Sequence, residues 1–258
     1  MSRAVIVAGA GTGIGAAVVR RLASGGASVV LAGRRRAPLE RVAATTGQTL
    51  VVADASTEEG VERIVTATVE VHGGIDGLVL NAGVMLPGTV AEASVDDWRA
   101  TVDINLTGPF LLARAALPHL LERQGSIVSV ASIAALRAGP GIAAYCASKA
   151  GLVLLTQCLA VEHGAAGLRA NVVAPGWVRT EMADEEMDEF GGPRGLDREA
   201  AYAEITRHVP ARRPATSDEA AAAVVWLLSR DAAYVTGAVL TVDGGTSVVD
   251  TGTLAFGG

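Results

Sequence analysis

An α/β fold, doubly wound around one parallel sheet with helices on both faces, is predicted by three features. Short β-branched runs alternate with amphipathic stretches along the whole chain; the strand-like runs are almost wholly apolar, as strands covered on both faces must be; and a glycine cluster joins the first such run to the first amphipathic stretch. The 258 residues are 50% hydrophobic, 19% charged and only 3% aromatic, with no shift of composition along the chain. One large domain spanning residues 1–258 is therefore expected.

The elements follow in order. Strands are expected at 5–8, 28–32, 49–52, 77–80, 126–130, 169–173 and 238–242, where Val, Ile, Leu and Ala crowd together. Seven strands result. Helices are expected between them at 14–24, 38–44, 58–72, 95–105, 109–123, 143–163 and 217–229, the first stopped by Gly25 and Gly26. One stretch breaks the alternation. Between residues 181 and 200 lie eight acidic residues and two arginines, a surplus equal to the net charge of −6 carried by the whole chain. It reads as a solvated excursion, either a surface loop or a lid over about 181–210. The lid is favoured because the stretch follows a strand end and carries Met182, Met187 and Phe190, with Trp177 just before it.

Composition excludes several classes of function. An isoelectric point near 5.3 without a basic, aromatic-studded face argues against nucleic acid. No uninterrupted apolar run reaches membrane-spanning length, and Met1, Ser2 and Arg3 lead straight into a strand without the layout of a signal peptide, so a cytoplasmic protein is expected. Cys146 and Cys158 lie in one helical stretch at a spacing that forbids a disulfide, and His72, His119, His163 and His208 are scattered, so no metal is expected.

Two scarcities single out residues. Lys149 is the one lysine beside 20 arginines, and the asparagines are only Asn81, Asn105 and Asn171. Where a composition so avoids Lys and Asn, the survivors are suspected of holding positions that no substitute fills.

Gly9, Ala10, Gly11, Thr12, Gly13, Ile14 and Gly15 form a turn between strand and helix of the kind that binds phosphate: glycines let the backbone approach closely, and the helix start offers free N–H groups and positive dipole to a pyrophosphate. A dinucleotide is expected there. Its ribose end is read from the second strand, which runs into Gly33, Arg34, Arg35 and Arg36. An NAD site would present an acidic residue at this point, yet the first in the chain is Glu40. Arg34 and Arg35 suit a 2′-phosphate, so NADP(H) is expected, with NAD(H) as the alternative. Tyr145 and Lys149 stand four residues apart on one helical face, where an ammonium about 4 Å from a phenol would lower its pKa toward neutrality.

With these residues the chain resembles the short-chain dehydrogenase/reductase family over nearly its whole length. Tyr145, Cys146, Ala147, Ser148 and Lys149 match the family's YxxxK, and Ser132 stands 13 residues before Tyr145, where the family has its catalytic serine. Asn81, Ala82 and Gly83 match the NAG turn, and Asn105 the helix asparagine of the catalytic tetrad. Asp54, with Ala55, resembles the adenine-contacting aspartate, and Pro175, Gly176, Trp177, Val178, Arg179 and Thr180 the nicotinamide-side PG motif. Asn171 sits in the approach to that motif, and Asp243, Gly244 and Gly245 resemble the closing turn. Thr12 departs from the pattern, occupying a position where many NADP-preferring members carry a basic residue.

The resemblance implies a Rossmann-type domain interconverting a ketone and a secondary alcohol. Tyr145 would exchange the proton, Ser132 position the substrate oxygen, Lys149 tune the phenol and hold the nicotinamide ribose, and Asn105 support a proton-relay water. A non-catalytic cofactor-binding regulator on the same fold is the competing reading. The substrate is expected to be uncharged and apolar or aromatic, because Val84, Met85, Leu86, Leu136, Ile142, Trp177 and Met182 should border the nicotinamide end and the acidic stretch should repel anions. Arg137 and Arg179 are expected to face solvent. The apolar residues that surround the axis of the 143–163 helix predict a homo-oligomer, a tetramer, through pairing with the 109–123 helix.

Overall fold

The structure, a computed structural model, describes residues 3–250 and 252. Met1 and Ser2, on which the reading of the chain's start rested, lie outside the described residues. Seven strands, β1 (Ala4–Ala8), β2 (Ser28–Gly33), β3 (Thr49–Val52), β4 (Gly77–Leu80), β5 (Ser126–Val130), β6 (Arg169–Pro175) and β7 (Val239–Val242), form one parallel sheet in the order β3-β2-β1-β4-β5-β6-β7. Expected and observed strands agree within two residues at every end.

Nine helices connect and cover the sheet among the described residues: α1 (Gly13–Ser24), α2 (Arg36–Thr46), α3 (Glu58–His72), α4 (Val95–Val102), α5 (Gly108–Glu122), α6 (Ala143–His163), α7 (Glu181–Gly191), α8 (Arg198–Ile205) and α9 (Ser217–Leu228). The two-residue alternation of the strands decides which layer each residue joins. Val5 and Val7 of β1, Val29 and Leu31 of β2 and Val79 of β4 pack with Leu22 of α1, Leu39 of α2 and Val224 of α9. Ile6, Val30, Leu78 and Leu80 turn the other way, onto Ile64 of α3, Leu112 and Leu120 of α5 and Leu159 of α6. Both faces of the central strands are buried, so β1 and β4 carry no polar side chain. α6 is long and apolar enough to cross a membrane by length and composition, but it lies against β5 and β6 as a core helix.

Two elements differ from expectation. A single helix over 95–105 was expected, separated from the next. Instead α4 runs into a π-helical segment (Asp103–Thr107) that continues as α5, with the Gly108 N–H bonded to the Asp103 carbonyl five residues back. Pro109 supplies a reason, since it has no N–H to return to a carbonyl in the preceding turn. The second difference is the acidic stretch, which is an ordered helical pair rather than an extended loop. α7 and α8, capped by Thr180 and Asp197, close a small core of their own from Ala183, Met187, Ala201 and Tyr202. The expected 38–44 helix is longer at both ends.

Topology fixes where a ligand can sit. Between β1 and β4 the winding reverses, and at that switch point the carboxyl ends of the strands open into a crevice.

Candidate active site

A cavity of about 1020 Å³ runs along the carboxyl edge of the sheet, lined in turn by the residues that follow β1, β2, β3, β4, β5 and β6. Its size exceeds what one small ligand requires.

At one end lies the glycine turn. Gly9 has φ +72°, and a Cβ on it would come within 2.8 Å of the Ala82 Cα. Asn81 donates from Nδ2 to the Gly9 carbonyl at 3.0 Å, tying the two turns together. Gly11, Thr12, Gly13 and Ile14 line the cavity; Gly15 does not. Its role is packing, for a Cβ there would stand 2.1 Å from the Gly9 carbonyl oxygen. The start of α1 has neither a side-chain cap nor an acidic residue in its first turn, whereas side chains cap α3, α4, α7, α8 and α9. Its N–H groups and dipole thus face the cavity uncompensated, which suits a pyrophosphate.

Beyond the turn, Gly33, Arg34, Arg35, Asp54 and Ala55 line the same crevice. Arg34 makes no hydrogen bond among the described residues, while Arg35 is turned onto Glu181 at 3.3 Å. The two arginines are not equivalent: Arg34 is the cation left for a ligand. Burial pushes the Asp54 carboxyl up, but hydrogen bonds from the Ser56 hydroxyl and N–H, with Arg34 nearby, hold it below its usual range.

At the other end Ser132, Tyr145 and Lys149 meet. Ser132 follows β5; its hydroxyl accepts from the Ala134 N–H at 3.1 Å and stands close enough to the Tyr145 phenol to pull its pKa down. One turn along α6, Lys149 is buried and donates from Nζ to the Val130 carbonyl at 3.0 Å, with Nζ 5.7 Å from the Tyr145 ring centre. The expected lowering of the phenol by the ammonium is absent. Burial pushes the Tyr145 phenol up to about 12, against the pull of Ser132, and pushes Lys149 down to about 8.

Asn105 does not line the cavity. It is fully buried in the π-helical segment, accepts from the Val84 N–H and donates to the Val84 carbonyl, both at 2.8 Å, and donates to the Ser148 hydroxyl at 3.1 Å. It fastens the NAG turn to α6. Asn171 clamps the backbone likewise, donating to the Val235 carbonyl at 2.8 Å and accepting from the Ala238 N–H at 3.1 Å. Each of the three asparagines thus holds main chain with its amide. Pro175, Gly176, Val178 and Thr180 also line the cavity, and a Cβ on Gly13 would meet Thr180 at 2.9 Å.

Around Tyr145 the wall is mostly apolar. Of the expected border residues, Met85, Ile142, Trp177 and Met182 line it; Val84, Leu86 and Leu136 do not, and Leu136 is exposed. Arg137 reaches the rim, where it donates to the Ser247 carbonyl at 2.9 Å. Arg179 turns away into a two-pronged pair with Glu199 at 2.6 and 2.5 Å. Sequence reasoning missed Glu186, which α7 brings into the wall beside Met187 and Phe190, the residues that favoured the lid. The signal was present in the four-residue spacing of Met182, Glu186 and Phe190 after a Thr180 cap. Among the described residues, no cluster of His, Cys, Asp and Glu is arranged to hold a metal ion.

Comparison with known proteins agrees with this geometry. A family model described as enoyl-(acyl carrier protein) reductase matches residues 9–247. Protein MoaE of Klebsiella aerogenes is 41% identical over 260 residues, covering 99% of this chain and all of that protein. Meso-2,3-butanediol dehydrogenase of Serratia marcescens is 36% identical over 96% of each chain. A crystal structure of levodione reductase superposes with a TM-score of 0.92 at 35% identity, covering 96% of this chain and 98% of that one. Other similar structures are described with NADPH in one case and NADH in another, so a nicotinamide cofactor is supported and the choice between the two is not.

Proposed function

Since the chain belongs to the short-chain dehydrogenase/reductase family and is an oxidoreductase, we propose that it interconverts a non-anionic, apolar or aromatic ketone and its secondary alcohol with NADP(H). The observation that carries this reading is one continuous cavity with an uncapped helix start and Arg34 at one end and Ser132, Tyr145 and Lys149 at the other.

In this reading Gly9, Thr12, Gly13 and Ile14 receive the pyrophosphate, Arg34 the 2′-phosphate, Asp54 and Ala55 the adenine, and Asn81, Ala82 and Gly83 the ribose side. Tyr145 and Lys149 hold the second ribose, and Pro175, Gly176, Val178 and Thr180 flank the nicotinamide. The cofactor supplies the hydride. Ser132 orients the substrate oxygen and the Tyr145 Oη delivers its proton. A phenol pushed up to about 12 retains that proton at neutral pH, which favours carbonyl reduction. Asn105 acts as a positioning residue. The pair α7 and α8 serves as the lid, and residues 1–258 form one catalytic domain.

With an aryl ketone as substrate, kcat/KM should be higher with NADPH than with NADH, and Gly33→Asp with Arg34→Ala should reverse the order by giving the ribose hydroxyls a carboxylate. A size-matched keto acid should be turned over less well. A wild-type enzyme preferring NADH overturns the cofactor assignment, a preference for the acid overturns the substrate class, and cofactor binding without turnover of any ketone points to a regulator.

A homo-oligomer, a tetramer in this reading, is supported by one face of α6. Leu154 and Val161 are 64% and 84% exposed, and Phe110 of α5 is 46% exposed. Seven residues apart on α6, Leu154 and Val161 share a side that the sheet leaves uncovered, where a second copy would bury them. Sedimentation should give an oligomer that Leu154→Arg weakens; a stable wild-type monomer at micromolar concentration refutes it.

A further inference from the structure

The carboxyl groups of residues 181–200 are unequally provided with partners. Glu181 is held by Arg35 and Arg41, Asp184 by Arg198 and Tyr202, Asp188 by Arg198 and Glu199 by Arg179, while Asp197 caps α8. Glu185, Glu186 and Glu189 have no hydrogen-bond or ion-pair partner among the described residues. Glu185 and Glu189 are exposed and have water, although Glu189 also borders the cavity. Glu186 does not share that freedom: it is half-buried and lines the cavity on the same wall as Met182, Met187 and Phe190.

Its charge acts on Tyr145, whose phenol it pushes further up, so the carboxyl lies within electrostatic reach of the reacting oxygen. Burial, with Glu189 beside it, raises Glu186 itself to about 7. Neither nearby cation answers it. Lys149 is bonded to the Val130 carbonyl and Arg137 to the Leu136 and Ser247 carbonyls. A partly desolvated carboxyl without a counter-charge takes up a proton more readily in the empty wall, and a cationic donor brought by a ligand favours its ionised form.

We infer that Glu186 is a specificity-determining residue that receives an ammonium group of the substrate, making the preferred substrate an amino ketone, or the matching amino alcohol, with an apolar or aromatic body. The inference rests on the proposed carbonyl reduction and names the substrate class of that same site, departing from the uncharged substrate expected from the sequence by one ammonium group. The hydride and proton transfers are unchanged by it; the ammonium is bound at a distance from the carbonyl and keeps its protons. The apolar wall takes the body of the molecule, and Glu186 selects one end.

The test uses three aryl ketones with the ammonium at increasing reach, phenacylamine and the meta and para isomers of (aminomethyl)acetophenone, each paired with a neutral isostere in which a methyl replaces the ammonium. The quantity read is the ratio of kcat/KM within each pair at saturating NADPH, and the ratio of Kd from calorimetric titration into the cofactor-loaded enzyme. In the wild type at least one ammonium ketone should exceed its isostere by about tenfold, the size expected of one charge pair that keeps some contact with water. Glu186→Gln should abolish that preference. Glu185→Gln removes the same charge from an exposed site one residue away and should leave the ratio in place. A ratio at or below one for all three pairs, a ratio indifferent to Glu186→Gln, or an equal loss in Glu185→Gln overturns the inference, while turnover of the neutral ketones upholds the reductase reading. If no ketone is turned over, that reading fails and the Kd ratio alone decides the role of Glu186.

Discussion

Replacing Tyr145 with phenylalanine is expected to lower kcat for ketone reduction by about a hundred- to ten-thousandfold, the range supplied by one positioned proton donor. The substitution keeps the ring that α6 packs into the cavity wall and removes only the Oη on the side of Ser132. Binding of NADPH should weaken only by the one ribose contact of the Oη, Lys149 and the rest of the cofactor site being kept; a Kd by fluorescence titration separates that small change from the loss of turnover. The raised phenol adds a second, directional expectation. Reduction uses the protonated form, which a pKa near 12 keeps in place, whereas oxidation of the alcohol needs the phenolate. For the wild type, kcat/KM for alcohol oxidation should thus climb with pH across about pH 6 to 10, while that for reduction stays flat or falls. A phenylalanine variant within threefold of wild-type kcat, or an oxidation profile that falls over this range, would remove Tyr145 from its assigned role.

Much of the fold was legible because sheet strands buried on both faces leave an unmistakable record. β1 is Ala-Val-Ile-Val-Ala with every residue buried, and such a run has no amphipathic reading. The site was legible for a different reason. Lys149 and the three asparagines stand out from a composition that otherwise avoids both residue types, and the structure supplies the cause. Asn105 and Asn171 each donate to a main-chain carbonyl and accept from a main-chain N–H, which an aspartate, having no donor when ionised, does not do. Arginine in turn does not fit the place of Lys149.

What sequence reasoning missed lay where charge masked periodicity. Met182, Glu186 and Phe190 recur at helical spacing, but the surrounding carboxylates made the stretch read as a solvated excursion, favoured as a lid but assigned no helices. Its helices are stabilised by pairs made across the turn, such as Arg198 with Asp188 at 2.5 Å, which no local pattern discloses. The π-helical segment was missed likewise, since it depends on the close approach of Gly108 to the carbonyl of Ala55: a Cβ on Gly108 would lie 2.8 Å from that oxygen. The phenol's pKa was misread in direction because spacing gives a shared face and says nothing of burial.

Lys149→Arg should cost about a hundredfold or more in kcat/KM, comparable with misplacing a reacting group by an ångström. The lysine is 4% exposed, and its Nζ lies close enough to the NAG turn that a Cβ on Gly83 would meet it at 3.2 Å. A planar, bulkier guanidinium has no such space and, unlike the ammonium, does not shed its charge. That difference predicts a pH-dependent stability. Folding lowers the lysine to about 8 from an unfolded value near 10.4, so between these pH values the unfolded chain holds a proton the native protein has released. Native stability contributed by this group therefore rises with pH across that window, by at most about 3 kcal/mol. Tyr145 titrates in the opposite sense above about pH 10, but it does so in every variant alike. Lys149→Arg lacks the rise, so the wild type's stability advantage over it should widen above pH 8. Lys149→Met, neutral and similar in length, should be inactive yet more stable than the wild type near neutrality, with the gap closing as the wild-type lysine loses its proton. Denaturant unfolding at several pH values reads all three proteins. A wild-type gap to the methionine variant that does not move with pH would show that Lys149 stays charged in the fold, and near wild-type activity in the arginine variant would show that a compact ammonium is not what the site requires.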